Sequence, residues 1–208
     1  MPTALLASTY FGPVQWYQKL YRHDHCLIEQ YDHFQKQTYR NRCRIATANG
    51  SQVLTVPVER TEGKCLMRDV RISDHGAWRH LHWNALQSAY GESPFFDYYA
   101  DDLYSFFEKE RENLFDFNLD IIHTMCELLD IHPVIRLTER YVPESLLFNS
   151  RLSIIDYRDS IRPKHPLPDT DFIPRPYYQV YQQKHGFLPN LSILDLLFNM
   201  GNEAIFFL

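Results

Sequence analysis

Glycine is scarce in this sequence, with seven in 208 residues. No GxGxxG turn and no GxxxxGK(S/T) phosphate loop occurs, so the common dinucleotide and P-loop devices are excluded. A GxSxG nucleophile elbow and an HExxH zinc pair are missing as well. The four cysteines, Cys26, Cys43, Cys65 and Cys126, include no CxxC pair and read as reduced thiols of a cytoplasmic protein. No apolar run approaches the ~18 residues of a membrane helix, and the opening MPTALLASTYFG lacks the basic region and apolar length of a signal peptide. Direct membrane insertion is therefore not expected. Basic excess is lacking too: the net charge is −5, which opposes nucleic-acid binding by general attraction. His23 and His25 fall at a helix end, and His80 and His82 point apart on a predicted helix, so no metal is expected.

What is present is an ordinary globular balance, 45% hydrophobic and 23% charged, with aromatics raised to 15%. The length suits one domain, taken as 1–208. Ala4–Ala7 reads as a buried strand, Tyr10–Pro13 as a turn, Val14–Arg22 as a helix and Leu27–Glu29 as a second strand. That order predicts a parallel βαβ opening, whose ligands would sit at the carboxyl ends of the strands. Leu66–Ile72 alternates like a strand. Trp78–Tyr90 is a helix ended by Gly91. Ser93-Pro94 opens the next helix, which carries Phe95, Tyr99, Leu103 and Phe106 inward, and Asn113 caps a third to about Leu129. Pro133–Leu137 is a late strand. From Arg158 to Pro176 five of the twelve prolines fall in one stretch, an extended loop, either disordered or a lid. Ser192 then caps a last helix that Gly201 ends. The fold class expected is α/β: a single-domain, three-layer or Rossmann-like mixed sheet with flanking helices and an inserted β-hairpin.

That hairpin lies in Ile28–Val58. Asn49-Gly50 predicts a type I′ turn, with Ala48 facing Ser51. Cys43, Ile45, Leu54, Val56 and Val58 then share one face, and Arg40, Arg42 and Arg44 the other, roughly 7 Å apart along the strand. In this register Asn41 falls on the apolar face and Pro57 sits opposite Arg42, where a ladder N–H is needed. Two readings fit the arginine row: a solvated outer face, or cations gathered around an anion with the ladder broken there. Guanidinium forks and a nearby Lys36 suit phosphate or carboxylate. His82, beside Trp78 and Tyr90, is either a packed histidine or a general acid or base.

Six stretches in order, Tyr10-Phe11, Phe34–Lys36, Tyr39–Arg42, Leu54–Val58, the Trp78/His82/Tyr90/Pro94–Phe96 pattern and Leu191–Gly201, resemble the WbqC-like protein family. The resemblance implies a bacterial protein of surface-polysaccharide (O-antigen-like) biosynthesis, with acyl or aminoacyl transfer, glycine included, to an amino sugar. A non-catalytic binding or scaffold protein of the same family is the alternative. It further implies His82 and Asp195 as catalytic candidates, and Tyr10, Gln35, Lys36, Arg40, Asn41, Arg42, Tyr90 and Asn199 as substrate or phosphate ligands. The expected partner is a small molecule such as a nucleotide-linked amino sugar, with ATP or acyl-CoA as the source of the activated group; the oligomeric state stays open. Two departures stand out: Gly12-Pro13 in the opening turn, and a stretch from about Leu146 to Pro176 that lacks the helix–strand unit of longer members.

Overall fold

In the computed structural model, residues 2–60, 63–143, 145 and 153–208 are described. A parallel sheet forms from β1 (Thr3–Ala7), β2 (His25–Glu29), β5 (Val134–Leu137) and β6 (Ile154–Asp156), in the order β5-β2-β1-β6. β1 and β2 pair from Ala4↔Cys26 to Ala7↔Glu29, with α1 (Val14–Arg22) between them in sequence, so the βαβ opening is met. Ala4, Leu5 and Leu6 are fully buried, as befits the central strand of a parallel sheet. Among the described residues the antiparallel ladder is the hairpin β3 (Arg42–Thr47) and β4 (Gly50–Thr55), accompanied by isolated antiparallel bridges elsewhere. Among the described residues the other α-helices are α2 (Trp78–Tyr90), α3 (Phe96–Glu108), α4 (Leu114–Leu128), α5 (Gln182–His185) and α6 (Ile193–Met200). Much of the aromatic content sits in the core: Tyr10 stacks on Phe117 at 5.9 Å and Phe11 on Phe107 at 6.0 Å between ring centroids.

Several expectations need correction. The hairpin register is shifted by two residues, Thr47 pairing with Gly50 and Arg42 with Thr55. Only Gly50 takes a positive φ, 102°, while Ala48 and Asn49 do not, so the turn is type I followed by a glycine bulge rather than type I′. A shift of two preserves the faces, so Cys43, Ile45 and Leu54 are still buried together. Pro57 now lies beyond β4, and no ladder N–H is asked of it. Asn41 is buried and completes the ladder with its side chain: its backbone oxygen accepts from Val56 N at 2.9 Å, and its Nδ2 donates to Val56 O at 2.8 Å.

Leu66–Ile72 is no strand. Met67–Asp69 is a 3-10 turn whose stretch donates to Asp32 O, Gln30 O and Glu112 O and forms single bridges to His33, Val58 and Asn113, so it holds three segments instead of pairing with one. α3 begins at Phe96, because Ser93 Oγ donates back to Tyr90 O at 2.6 Å and closes the preceding turn; Phe95 is partly exposed. The cap Asn113 accepts from Phe115 N and Asp116 N, and Ser192 Oγ accepts from Leu194 N, both as expected. The 158–176 stretch contains no helix or strand and is tied to α1 by Lys19–Asp169, 2.8 Å apart. The stretch from about Leu146 lies outside the described residues as far as 152; beyond it comes β6, an edge strand that pattern reading did not find.

Candidate functional site

The carboxyl ends of all four parallel strands deliver polar side chains to one edge of the sheet. Ser8 follows β1, Glu29 ends β2, Thr138 follows β5, and Asp156 and Arg158 end and follow β6. β1 lies between β2, reached through α1, and β6, reached last, so the topological switch point is there. Glu29 is buried and accepts from Thr138 Oγ1 and Tyr31 N, both at 2.8 Å, from Val142 N at 3.0 Å and from Arg158 Nη1 at 3.4 Å. Arg158 also donates to Asp156 and to Val142 O. This part of the edge is satisfied internally.

Arg40 is different. Asn118, fully buried on α4, donates to Arg40 O at 2.8 Å and to Ser8 Oγ at 3.3 Å, which sets Arg40 against the loop leaving β1. Its Nη2 pairs with Asp32, from the stretch after β2, while Arg158 and Asp159 act on it electrostatically. Burial, partly offset by Asp32, lowers its pKa from the ordinary guanidinium value. Among the described residues Arg40 Nε, Thr9 Oγ1 and Asn118 Oδ1 have no hydrogen-bond partner. Each departs from the near-complete pairing of protein interiors, as do Arg42 Nε and Arg44 Nε.

The loop leaving β1 is held rigidly. Tyr10 N donates to Tyr39 O, Ser192 Oγ to Phe11 O and Ile193 N to Gly12 O. A Cβ at Gly12 would meet Thr9 Oγ1 at 2.4 Å, so the close approach requires glycine. The N-terminus of α1, where Rossmann-like folds seat phosphate, is filled by the protein itself: Val14 N donates to Leu191 O, and Gln15 N to Asn190 Oδ1.

The remaining candidates do not converge on one pocket. Tyr10 Oη and His82 Nδ1 form a buried 2.9 Å hydrogen bond, and burial, against a weaker pull from the Thr55 backbone, pushes the His82 pKa down to about 4. Asp195 forms a second enclosed group. Tyr90 Oη donates to its Oδ1 at 2.9 Å, Tyr177 Oη and Gln179 Nε2 to its Oδ2 at 2.7 and 2.8 Å, and Asn199 Nδ2 to its backbone oxygen. Burial raises the Asp195 pKa to about 6 although the three side-chain hydrogen bonds oppose it. Arg42 and Arg44 lie half-buried on the hairpin, each with an Nε unpartnered among the described residues. Gln35 and Lys36 are exposed on a turn, Lys36 lining a cavity of about 280 Å³ with Phe34, Val58 and Arg60.

Pattern reading missed Asp32, Asn118, Thr138, Glu29 and Arg158. The available signal was the βαβ opening, which placed the edge but not the residues arriving from β5, β6 and α4. His23, one of the HDH pair, uses its ring on Pro2 O at 2.8 Å and Tyr157 Oη at 3.2 Å. Among the described residues no helix is long and apolar enough to cross a membrane.

No solved structure matches this chain. Uncharacterized protein Rv1507c of Mycobacterium tuberculosis (strain ATCC 25618 / H37Rv) is 30% identical over 224 aligned residues, taking in 97% of this chain and 94% of that protein. The sequence model of the WbqC-like protein family matches residues 8–154 and 169–206, which include Glu29, Arg40 and Asn118 but leave Asp156 and Arg158 outside. With both matches spanning most of its length, the chain belongs to the WbqC-like protein family.

Proposed function

We propose that the protein is an acyl or aminoacyl transferase acting on an amino sugar in bacterial surface-polysaccharide synthesis, and that it receives the anionic part of its substrate at the carboxyl edge of the sheet. The observation that carries this reading is Arg40: a buried guanidinium at the switch point, paired on one nitrogen and unpaired at Nε. A phosphate or carboxylate there gains a charge-assisted bond and satisfies a donor that is costly to leave buried and unpaired. Arg42, half-buried at the start of β3 two residues further along the chain, is the nearest further guanidinium in sequence. With α1 capped by Asn190 and Leu191, the anion is held by arginine forks rather than by a helix N-terminus. His82, kept neutral by burial, fixes the β1 loop through Tyr10, and Asp195 ties the C-terminal helix to Tyr90, Tyr177 and Gln179.

A thermal-shift screen with ATP, acyl-CoA, UDP-sugars and dTDP-sugars tests the reading. One class should raise Tm by about 3–6 °C at tenfold over its Kd. Arg40→Lys, which keeps the charge but not the fork, and Arg42→Ala should both remove the shift. A flat screen across all four classes sinks the proposal. The second reading, a binding protein without catalysis, is favoured by the enclosure of both His82 and Asp195. It predicts a ligand-dependent Tm shift with no transfer product by mass spectrometry for any donor and acceptor pair.

A further inference from the structure

If the Arg40 edge receives an anion, something must first uncover it. Arg40 is only 5% exposed, and its unpaired Nε is buried. Asn118 holds it from the core side, through Arg40 O and Ser8 Oγ. From the chain that follows β6 comes Asp159, close enough to act on the Arg40 charge. Asp159 opens a small unit, residues 159–167, that is bonded to itself. Its carboxylate accepts from Arg162 Nη1 at 2.6 Å, Arg162 Nε donates to His165 O at 3.1 Å, and Leu167 N donates to Asp159 O at 3.0 Å. A compact loop whose ends meet and whose own side chains tie it together is of the Ω type. With these bonds kept, it moves as one body.

The feet of the unit are fixed. Just before it, Arg158 is buried on Glu29 and Asp156; just after it, Asp169 pairs with Lys19. Between the feet the hold is slighter. Ile161 alone of these residues is buried, and the tip is tied by an exposed hydrogen bond, Lys164 Nζ to Gln37 Oε1 at 2.8 Å. Gln37 belongs to the turn that carries Gln35 and Lys36 and leads into Arg40. The unit therefore spans the Arg40 edge, from the end of β6 to that turn. The family model stops at residue 154 and resumes at 169, so the whole unit falls between its two matched segments. The edge belongs to the matched pattern, and its cover does not.

We infer that residues 159–167 are a lid: hinged beside Arg158 and Asp169, they lift from the Arg40 edge when Lys164 leaves Gln37, and close again over a bound anion. Withdrawing the Ile161 side chain from the core keeps the closed state favoured at rest. Lifting carries Asp159 away together with its partner Arg162, so a carboxylate leaves Arg40 as the edge opens. The positive field there rises at the moment an anion can enter, and closure then removes water from around it. Irregular loops on rigid feet are where such gates are built. The use of the lid, though not its movement, rests on the proposal that this edge receives an anion.

Phenylglyoxal, which modifies guanidinium groups, reports the opening of the full chain without any ligand. Peptide mapping by mass spectrometry follows Arg40, with Arg71, 59% exposed, as the standard for an open arginine. In Gln37→Cys/Lys164→Cys, made with Cys65→Ser, a short bismaleimide tethers the two positions, while the other three cysteines are buried. Tethering should slow Arg40 labelling by about tenfold or more against the same protein capped with N-ethylmaleimide, with Arg71 unchanged. Lys164→Ala should speed it by about threefold, for the loss of one hydrogen bond. Gln37 and Lys164 are exposed, so the variants fold, and slower labelling of the buried Cys43 than of Arg40 sets global unfolding aside. Equal labelling of tethered and capped protein, or an Arg40 that stays unlabelled in both, overturns the lid. ATP and the UDP- and dTDP-sugars then separate the two proposals. A ligand that raises the Tm of the capped form and not of the tethered form supports the lid. One that raises both alike overturns the lid and leaves the anion site standing. Tether-sensitive labelling with no Tm response in either form supports the lid and removes the anion site.

Discussion

Asp195 shows how much one side chain is asked to do. Its carboxylate ties α2, through Tyr90, to Tyr177 and Gln179 in the run before α5, and its burial raises its pKa to about 6, from 3.8. A native carboxyl that holds its proton more tightly than the unfolded one loses stability as pH rises through this interval. The contribution is fully present below about pH 4 and gone above about pH 6, a difference of about 3 kcal/mol. Urea unfolding between pH 3.5 and 7 should show this decline in the wild type and not in Asp195→Asn, where no carboxyl titrates; a parallel decline in both would rule Asp195 out as its source. The Ser192 cap works without Asp195, whose side chain turns instead to Tyr90, Tyr177 and Gln179.

At the scale of elements, local pattern was readable where local forces decide. α1 and α2 have the limits their apolar spacing implies, and the Asn113 and Ser192 caps act on the N–H groups they face. The hairpin was readable in its faces but not in its turn, because one Gly serves either a type I′ turn or a type I turn with a bulge. Leu66–Ile72 and β6 were misread for a common reason. Their conformation is set by backbone partners elsewhere in the chain, which alternation over a few residues does not reveal. The 158–176 loop, composed to look featureless, is fastened by a buried pair. Burial raises the Asp169 pKa, yet hydrogen bonds from Lys19 and Gln15 hold it below the ordinary value, and the Lys19 ammonium also lies 4.7 Å from the Tyr157 ring. Lys19→Met leaves Asp169 without its cation, a change that costs about 3 kcal/mol when a buried pair is broken. The loss should appear first as local opening of the loop: cleavage within 158–176 under limited proteolysis should accelerate about tenfold or more. Unchanged cleavage would mean that the loop is held by something other than this pair.

The whole molecule is joined at the carboxyl edge of its sheet. β1, the first strand, receives its second neighbour only when the chain reaches Ile154, and the side chain that secures that late arrival is Arg158, spanning Glu29 on β2 and Asp156 on β6. This is why the site was only partly legible: Tyr10 and Arg40 lie near recognisable motifs, whereas Glu29 and Arg158 acquire meaning from a sheet order that no single stretch encodes. The same linkage makes a global measurement informative. Arg158→Met leaves the buried Glu29 carboxylate facing no cation and should lower stability by about 3 kcal/mol, within the range for a broken buried pair. Glu29→Gln alone leaves Arg158 with Asp156 and should cost less. In Glu29→Gln/Arg158→Met neither charge is stranded, so the double variant should be more stable than the two single losses predict together, by about 1–3 kcal/mol. Strict additivity would show that the two residues stabilise the fold independently. Coupling of this size, with far-UV and tyrosine signals melting together in every variant, would show that the edge where the substrate is proposed to bind is also the joint that makes the early and late halves of the sheet fold as one.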